Sequence, residues 1–375
     1  MSEGEEELAS DVEQEQGVLS GLEPPSQIES LVICRYQGPC LPRWLMEQNG
    51  SSYSEGTTLK QTGPCQYPSL TCLTLFQSPN LKHIRGLVKF PSLKSLELWN
   101  MASLEELWTA TSGIEIQEEE LSAQYCFPVL SNLSITDCPQ LSAVKPYFPP
   151  TLKKLCLRRT NLQLLSLGNF SHMLPTPANE SSSSSCLHSA VVSHLRELQL
   201  DGMVGSSSGW EFLRHHTKLE TLSIGYCDDL TQVPESIRSL TSLQRLHITS
   251  CPALGMLPKW LGELCSLRHL LVSWTRMIAS LPQSIGHLTS LESLDLVYCG
   301  ALAELPEGIG QLSALRRLII QGCPALQCLP QSIQRLTALQ TLAIYACPAL
   351  AMRYKQGVGP DWHLISHIPD VYVEE

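Results

Sequence analysis

LETLSIGYCDDLTQVPESIRSLTS (Leu219–Ser242), LQRLHITSCPALGMLPKWLGELCS (Leu243–Ser266), LRHLLVSWTRMIASLPQSIGHLTS (Leu267–Ser290), LESLDLVYCGALAELPEGIGQLSA (Leu291–Ala314) and LRRLIIQGCPALQCLPQSIQRLTA (Leu315–Ala338) follow one another without a gap. A sixth copy opens at Leu339 with LQTLAIYACPAL. Each copy is 24 residues long and fits LxxLxIxxCxxLxxLPxxIxxLxx. Self-similarity at a fixed short period marks stacked supersecondary units, none of which can bury its own apolar face. The two-residue side-chain period of a strand puts Leu222 and Ile224 on one face of a short strand. Stacked copies then build a parallel sheet with an inward wall of Leu and Ile. The Cys column (Cys227, Cys251, Cys299, Cys323, Cys347, with Thr275 as the exception) falls where the chain leaves the strand and needs a small inward side chain with a weak hydrogen bond for turn backbone. The Pro column (Pro234, Pro258, Pro282, Pro306, Pro330) starts the return path, and Ile237, Ile285, Ile309 and Ile333 point back inward from a short helical turn.

Upstream the frame persists less regularly. Strand openings are legible at Ile28, Leu70, Leu93, Leu130, Leu152 and Leu195, giving twelve in all. The longer intervals hold insertions near 48–64, 109–124 (with EIQEEE) and 169–190 (with SSSSS), which read as solvent loops on one array. The pattern is that of a leucine-rich repeat. The fold class expected is therefore an α/β solenoid: a leucine-rich-repeat horseshoe with about twelve parallel strands on its concave face and short helical or irregular convex segments. Three regions follow: an acidic, solvated leader (1–25), the solenoid (26–356) and a C-terminal capping segment (357–375), in which Trp362, Ile365 and Ile368 cover the last repeat.

Charge narrows the partners. The net charge of −11 is mostly local, since residues 1–16 carry seven acidic side chains and no basic ones. The remaining 29 acidic and 25 basic residues make a near-neutral body. Phosphate-backbone affinity rests on clustered Lys and Arg, so no nucleic-acid partner is expected. No run of 18 apolar residues occurs, so no membrane span is expected. An acidic start fits neither a signal peptide nor a transit peptide, and fifteen Cys in such a chain read as reduced, mostly buried thiols. The setting expected is cytoplasmic.

With the Cys-and-Pro repeat, VLSGLEPPSQIESLVICRYQGPCLPRWL (Val18–Leu45) and GVGPDWHLISHIPDVYV (Gly357–Val373) make the chain similar to the carboxy-terminal half of plant intracellular nucleotide-binding leucine-rich-repeat (NLR) disease resistance proteins. The resemblance covers Val18 to the end. It implies a cytoplasmic module that recognises pathogen effectors, or host proteins they modify, through variable residues of its strands. No GxxxxGK[ST] phosphate cradle occurs, so the nucleotide switch of that family does not carry over, and the resemblance adds a separate nucleotide-binding receptor chain to the partners expected. On this reading the chain enters mid-solenoid, as a truncated gene product or an excised recognition region would.

Motifs that could carry chemistry fall to simpler readings. Gly205-Ser206-Ser207-Ser208-Gly209 matches GxSxG, but it sits inside one 24-residue repeat, in a low-complexity Ser/Gly run. His363 and His367 have zinc-helix spacing, yet Leu364 stands where HExxH needs its Glu. A line of stacked thiols does not surround an ion tetrahedrally. No catalytic residue, cofactor or metal is expected. The candidate site is the concave face: Tyr226, Arg245, His247, His269, Trp274, Asp295, Tyr298, Arg317 and Tyr345. Trp274 and Tyr298 hold equivalent places in adjacent repeats and should lie side by side, and Arg245, His269 and Arg317 share another column. Exposed aromatics flanked by Arg are the composition of protein-binding hot spots. The function expected is non-enzymatic protein recognition in plant immunity. The alternatives are the substrate-receptor arm of a ubiquitin ligase, which needs a helical adaptor-binding segment that residues 1–27 do not show, or a product without independent function.

Overall fold

The computed structural model describes Leu19, Leu164 and residues 21–46, 67–84, 90–108, 127–145, 148–161, 194–203 and 207–374. The insertions near 48–64, 109–124 and 169–190 lie outside the described residues. The chain divides into two compact units, Met1–His194 and Leu195–Glu375. Each is a leucine-rich-repeat solenoid.

In the first unit, β1 (Ser30–Cys34), β2 (Cys72–Phe76), β4 (Ser95–Trp99), β6 (Asn132–Thr136) and β8 (Lys154–Arg158) pair in parallel and in register. Leu73, Leu96, Leu133 and Leu155 form one buried row. The return path departs from the helical or irregular segments expected. It holds β3 (His83–Ile84), β5 (Glu106–Trp108) and β7 (Ala143–Lys145), which make a second, three-stranded parallel sheet. The reason is local. LKHI, LEEL and LSAV lack the Pro and the helical-turn isoleucine, so the chain stays extended and buries Ile84, Leu107 and Val144 by alternation. YPSL, FPSL and FPVL precede the strands here, where LTSL, LCSL, LSAL or LTAL stands in the regular repeats of the second unit. Tyr67, Phe90 and Phe127 fill the core as a stack with centroids 6.3 and 6.1 Å apart, and Trp44 meets Tyr67 edge-on at 6.1 Å. Burial pushes the Tyr67 phenol up to about 12, with Glu23 adding to the effect.

The second unit carries β9 (Glu197–Asp201), β10 (Thr221–Gly225), β11 (Arg245–Thr249), β12 (His269–Ser273), β13 (Ser293–Val297), β14 (Arg317–Gln321), β15 (Thr341–Tyr345) and β16 (Asp370–Glu374), all parallel. From β10 to β15 the register advances by one repeat per strand, as Thr221↔Arg245 and Leu222↔Leu246 show. All twelve strands read from the sequence are present. The thirteenth of this type, β16, comes from the ending segment: DVYVE alternates and docks beside β15. Just before it, Ile365 and Ile368 are buried and Trp362 is half-buried.

Between strands the Pro column takes φ near −70° with extended ψ and starts a five-residue 3₁₀ turn, such as Glu307–Gln311 after Pro306. Proline's fixed φ suits that entry, and its missing N–H is not needed there. Ile237, Leu261, Ile285, Ile309 and Ile333 then point inward, fully buried. Successive turns pack so closely that a Cβ on Gly262 would stand 2.2 Å from the Ser284 carbonyl oxygen of the next repeat. They also cap one another, since the Glu307 carboxylate accepts the Gln331 and Ser332 N–H groups of the following turn at 3.2 and 3.0 Å. The Cys column faces inward as expected. Cys299, Cys323 and Cys347 donate to the carbonyls of Val272, Leu296 and Ile320 in the preceding repeat at 3.4, 3.7 and 3.8 Å. At the exception, the Thr275 hydroxyl donates to Cys299 Sγ at 3.4 Å.

Candidate protein-binding face

The site begins at the turn that ends each strand. By strict alternation Tyr226 would face the core, after Leu222 and Ile224. Instead its φ is +54° and the ring is 62% exposed, and this left-handed residue lets Cys227 turn inward. Every strand from β1 to β15 in the main sheets leaves by the same turn, through Arg35, Gln77, Asn100, Asp137, Arg159, Gly202, Tyr226, Ser250, Trp274, Tyr298, Gly322 or Ala346. The turn is pinned by its neighbour: the N–H groups of Tyr226, Trp274 and Tyr298 donate to the last carbonyl of the next strand at 2.9, 2.8 and 2.6 Å.

Trp274 and Tyr298 stack with centroids 4.2 Å apart and planes 28° apart. The side-by-side placement read from the repeat is therefore observed. The tyrosine ring continues over Gly322, where an added Cβ would meet Tyr298 Cδ1 at 2.4 Å. Arg245 and His269 are register partners, and Ser293 separates His269 from Arg317 in the same row. Arg317 Nε lies 3.8 Å from Asp295 Oδ1. His247 sits two residues along β11 from Arg245, with Nδ1 3.4 Å from Ser223 Oγ. Burial first, then the positive charges of Arg245 and His269, hold its imidazole below the usual pKa, against the opposing pull of Asp295. Tyr345 ends β15 in the outward position, three strands from Trp274, and Tyr226 stands two strands from Trp274 with Ser250 between. The nine residues thus share one face of the second unit without forming a single cluster.

Three members of this face were not read from the sequence. Leu271 and Ile319 are half-buried aliphatics in the His247–Asp295 column, a position the repeat frame already marks as outward. Tyr372, 50% exposed, extends that column on β16. Its only signal was the alternation in DVYV.

The other motifs fall elsewhere. Gly205 and Ser206 lie outside the described residues, and Ser207–His215 is a 3₁₀ helix. His363 and His367 are both exposed, with His363 Nδ1 3.2 Å from the Pro360 carbonyl oxygen. Among the described residues no helix is long and apolar enough to cross a membrane. No group of three or more His, Cys, Asp or Glu side chains is arranged among them to hold a metal ion.

Comparison with known proteins gives matches at both ends of the chain. Residues 3–101 match the family described as R13L1/DRL21 LRRs, and residues 258–354 match the family described as a leucine-rich repeat region. A disease resistance RPP13-like protein 1 from Arabidopsis thaliana is 26% identical over 247 residues, covering 58% of this chain. The chain spans 22% of that relative's length. Among solved structures, the chain is similar to the leucine-rich repeat domain of the type III effector XopL (22% identity, 64% of this chain and 75% of that one, TM-score 0.38). It is also similar to TLR13 in a TLR13–ssRNA13 complex (18% identity, 76% and 42%, TM-score 0.47).

Proposed function

We propose, on the premise that this chain carries a leucine-rich-repeat region of the plant NLR disease-resistance type, that it is a non-enzymatic recognition module of plant innate immunity. Its ligand is a protein, a pathogen effector or a host protein modified by one, held on the outward face of the β9–β16 sheet. The setting is cytoplasmic, and a separate nucleotide-binding receptor chain is the proposed recipient of the signal. One observation carries the reading: Trp274 and Tyr298 stack in the open, 49% and 37% exposed, at turn positions whose backbone suits Gly or Asn better than an aromatic ring. Large exposed rings on the same face as Arg317 supply hot-spot chemistry, and a sheet fixed by its core loses little entropy on binding.

The test is the triple variant Trp274→Ala/Tyr298→Ala/Arg317→Ala, used beside wild type as bait in infected and healthy plant tissue. We expect a protein enriched at least tenfold by wild type and lost with the variant, whose far-UV circular dichroism and Tm stay near those of wild type. Equal recovery by both baits overturns the reading. Recovery of ubiquitin-ligase scaffold subunits by both baits would instead support a substrate-receptor arm.

A further inference from the structure

Three adjacent strands, β10 to β12, carry a basic pair at their entries and a gap between two aromatic rings at their exits. At the entries, Arg245 and His269 are register partners on the outward face. Three other arginines of this unit face an acid: Arg196 lies 3.5 Å from Glu220, Arg268 2.6 Å from Glu292 and Arg317 3.8 Å from Asp295. Arg245 does not. Its Nε donates to Thr221 Oγ1 at 3.0 Å, which leaves the terminal N–H groups of the guanidinium for another acceptor. Among the described residues no carboxylate pairs with Arg245 or His269.

At the exits, Tyr226, Ser250 and Trp274 occupy the same turn position in three consecutive repeats. Tyr298 stacks on the indole from the β13 side, and Ser250 occupies the equivalent turn on the β11 side. Two strand spacings, about 10 Å, separate the turn positions of Tyr226 and Trp274. A flat group stacked on both sides needs about 7 Å. Above the short Ser250 side chain the gap is therefore wide enough to admit a planar group.

We propose that this surface takes an acidic protein segment, with a carboxylate on Arg245 and His269 and an aromatic side chain between Tyr226 and Trp274. The proposal rests on the recognition reading above and gives that face its ligand chemistry. A guanidinium offers a carboxylate two parallel hydrogen bonds, and the basic pair has no acid of its own. A nucleic acid would combine stacking with phosphates, but its affinity comes from neutralising many of them. Here one arginine and one histidine stand free on a chain of net charge −11. Ser250 follows β11 five residues after Arg245, roughly 16 Å away, so an extended partner carries its acid and its ring about five residues apart.

Fluorescein-labelled random copolymers of Glu and Tyr test this with the full chain at physiological salt, read by anisotropy. We expect poly(Glu,Tyr) to bind at least tenfold more tightly than poly(Glu), and poly(Lys,Tyr) to show no saturable binding. Arg245→Gln/His269→Gln should weaken both acidic polymers at least tenfold. Ser250→Tyr fills the gap in a turn position that already holds Tyr elsewhere. It should erase the advantage of poly(Glu,Tyr) and leave poly(Glu) unchanged. Equal binding of the two acidic polymers by wild type overturns the proposal, as does undiminished binding by the double variant or displacement of poly(Glu,Tyr) by equimolar oligouridine. If the polymers fail while tissue capture still depends on Trp274, only this ligand chemistry falls. If the polymers bind and tissue yields no partner, it is the recognition reading that falls.

Discussion

Tyr226, Trp274 and Tyr298 hold φ near +55°, where an L side chain costs about 1–2 kcal/mol relative to Gly. The strain is not peculiar to these three, because Arg35, Asn100 and Ser250 share the conformation in other repeats. The turn belongs to the fold, and the residue placed in it is a separate choice. Gly202, Gly322, Asn100 and Asp137 fill it at least expense, whereas an aromatic ring adds strain and little burial. Binding and stability should therefore move in opposite directions. Tyr226→Asn is expected to raise unfolding free energy by roughly 0.5–1 kcal/mol in urea titration, as a residue tolerant of this conformation replaces one that is not. The same variant should lower partner capture. A stability loss would mean that the ring packs on something its 62% exposure does not suggest.

Between strands the return path decides how closely repeats approach. In the second unit the 3₁₀ turns touch backbone to backbone, and glycine is a steric requirement at Gly262. Gly262→Ala drives a methyl against a carbonyl that cannot swing aside, and should cost about 1–3 kcal/mol, the usual range for overpacking. Gly255→Ala is the control, since a Cβ there meets nothing within 4 Å and no cost is expected. Chemical denaturation of the pair separates the steric cost from any general effect of losing a glycine. Much of this element structure was legible. Five ungapped copies fixed strand, Cys turn, Pro entry and inward isoleucine, because each residue type answers one local backbone demand. β3, β5 and β7 were not, since two or three extended residues leave no period to detect. The Tyr67–Phe90–Phe127 stack escaped for a different reason: a template that expects Leu passes over a column where aromatic rings do the same filling. At the face, the Trp274–Tyr298 contact followed from equal repeat positions. The gap over Ser250 did not, because a small side chain at one repeat position leaves no pattern to read.

Within each unit the core is one row after another of the same few positions. Leu294 lies between Leu270 and Leu318 in register, all three fully buried. No repeat has a private core, so damage cannot stay local. Leu294→Ala should cost about 2–5 kcal/mol. Its signature is the loss of amide-exchange protection in β12 and β14 along with β13, in one cooperative step. Protection lost in β13 alone would show that the repeats melt separately.

The strand-exit turn has a further consequence. It accepts Arg, Gln, Asn, Asp, Ser, Trp, Tyr, Ala and Gly with the same backbone, and in ten of the twelve turns the residue's own N–H donates to the neighbouring strand. A side chain there can be exchanged without moving any atom that holds the sheet together. The outward surface can thus be re-lettered one position at a time above an unaltered interior, at a cost confined to the strain of the turn itself.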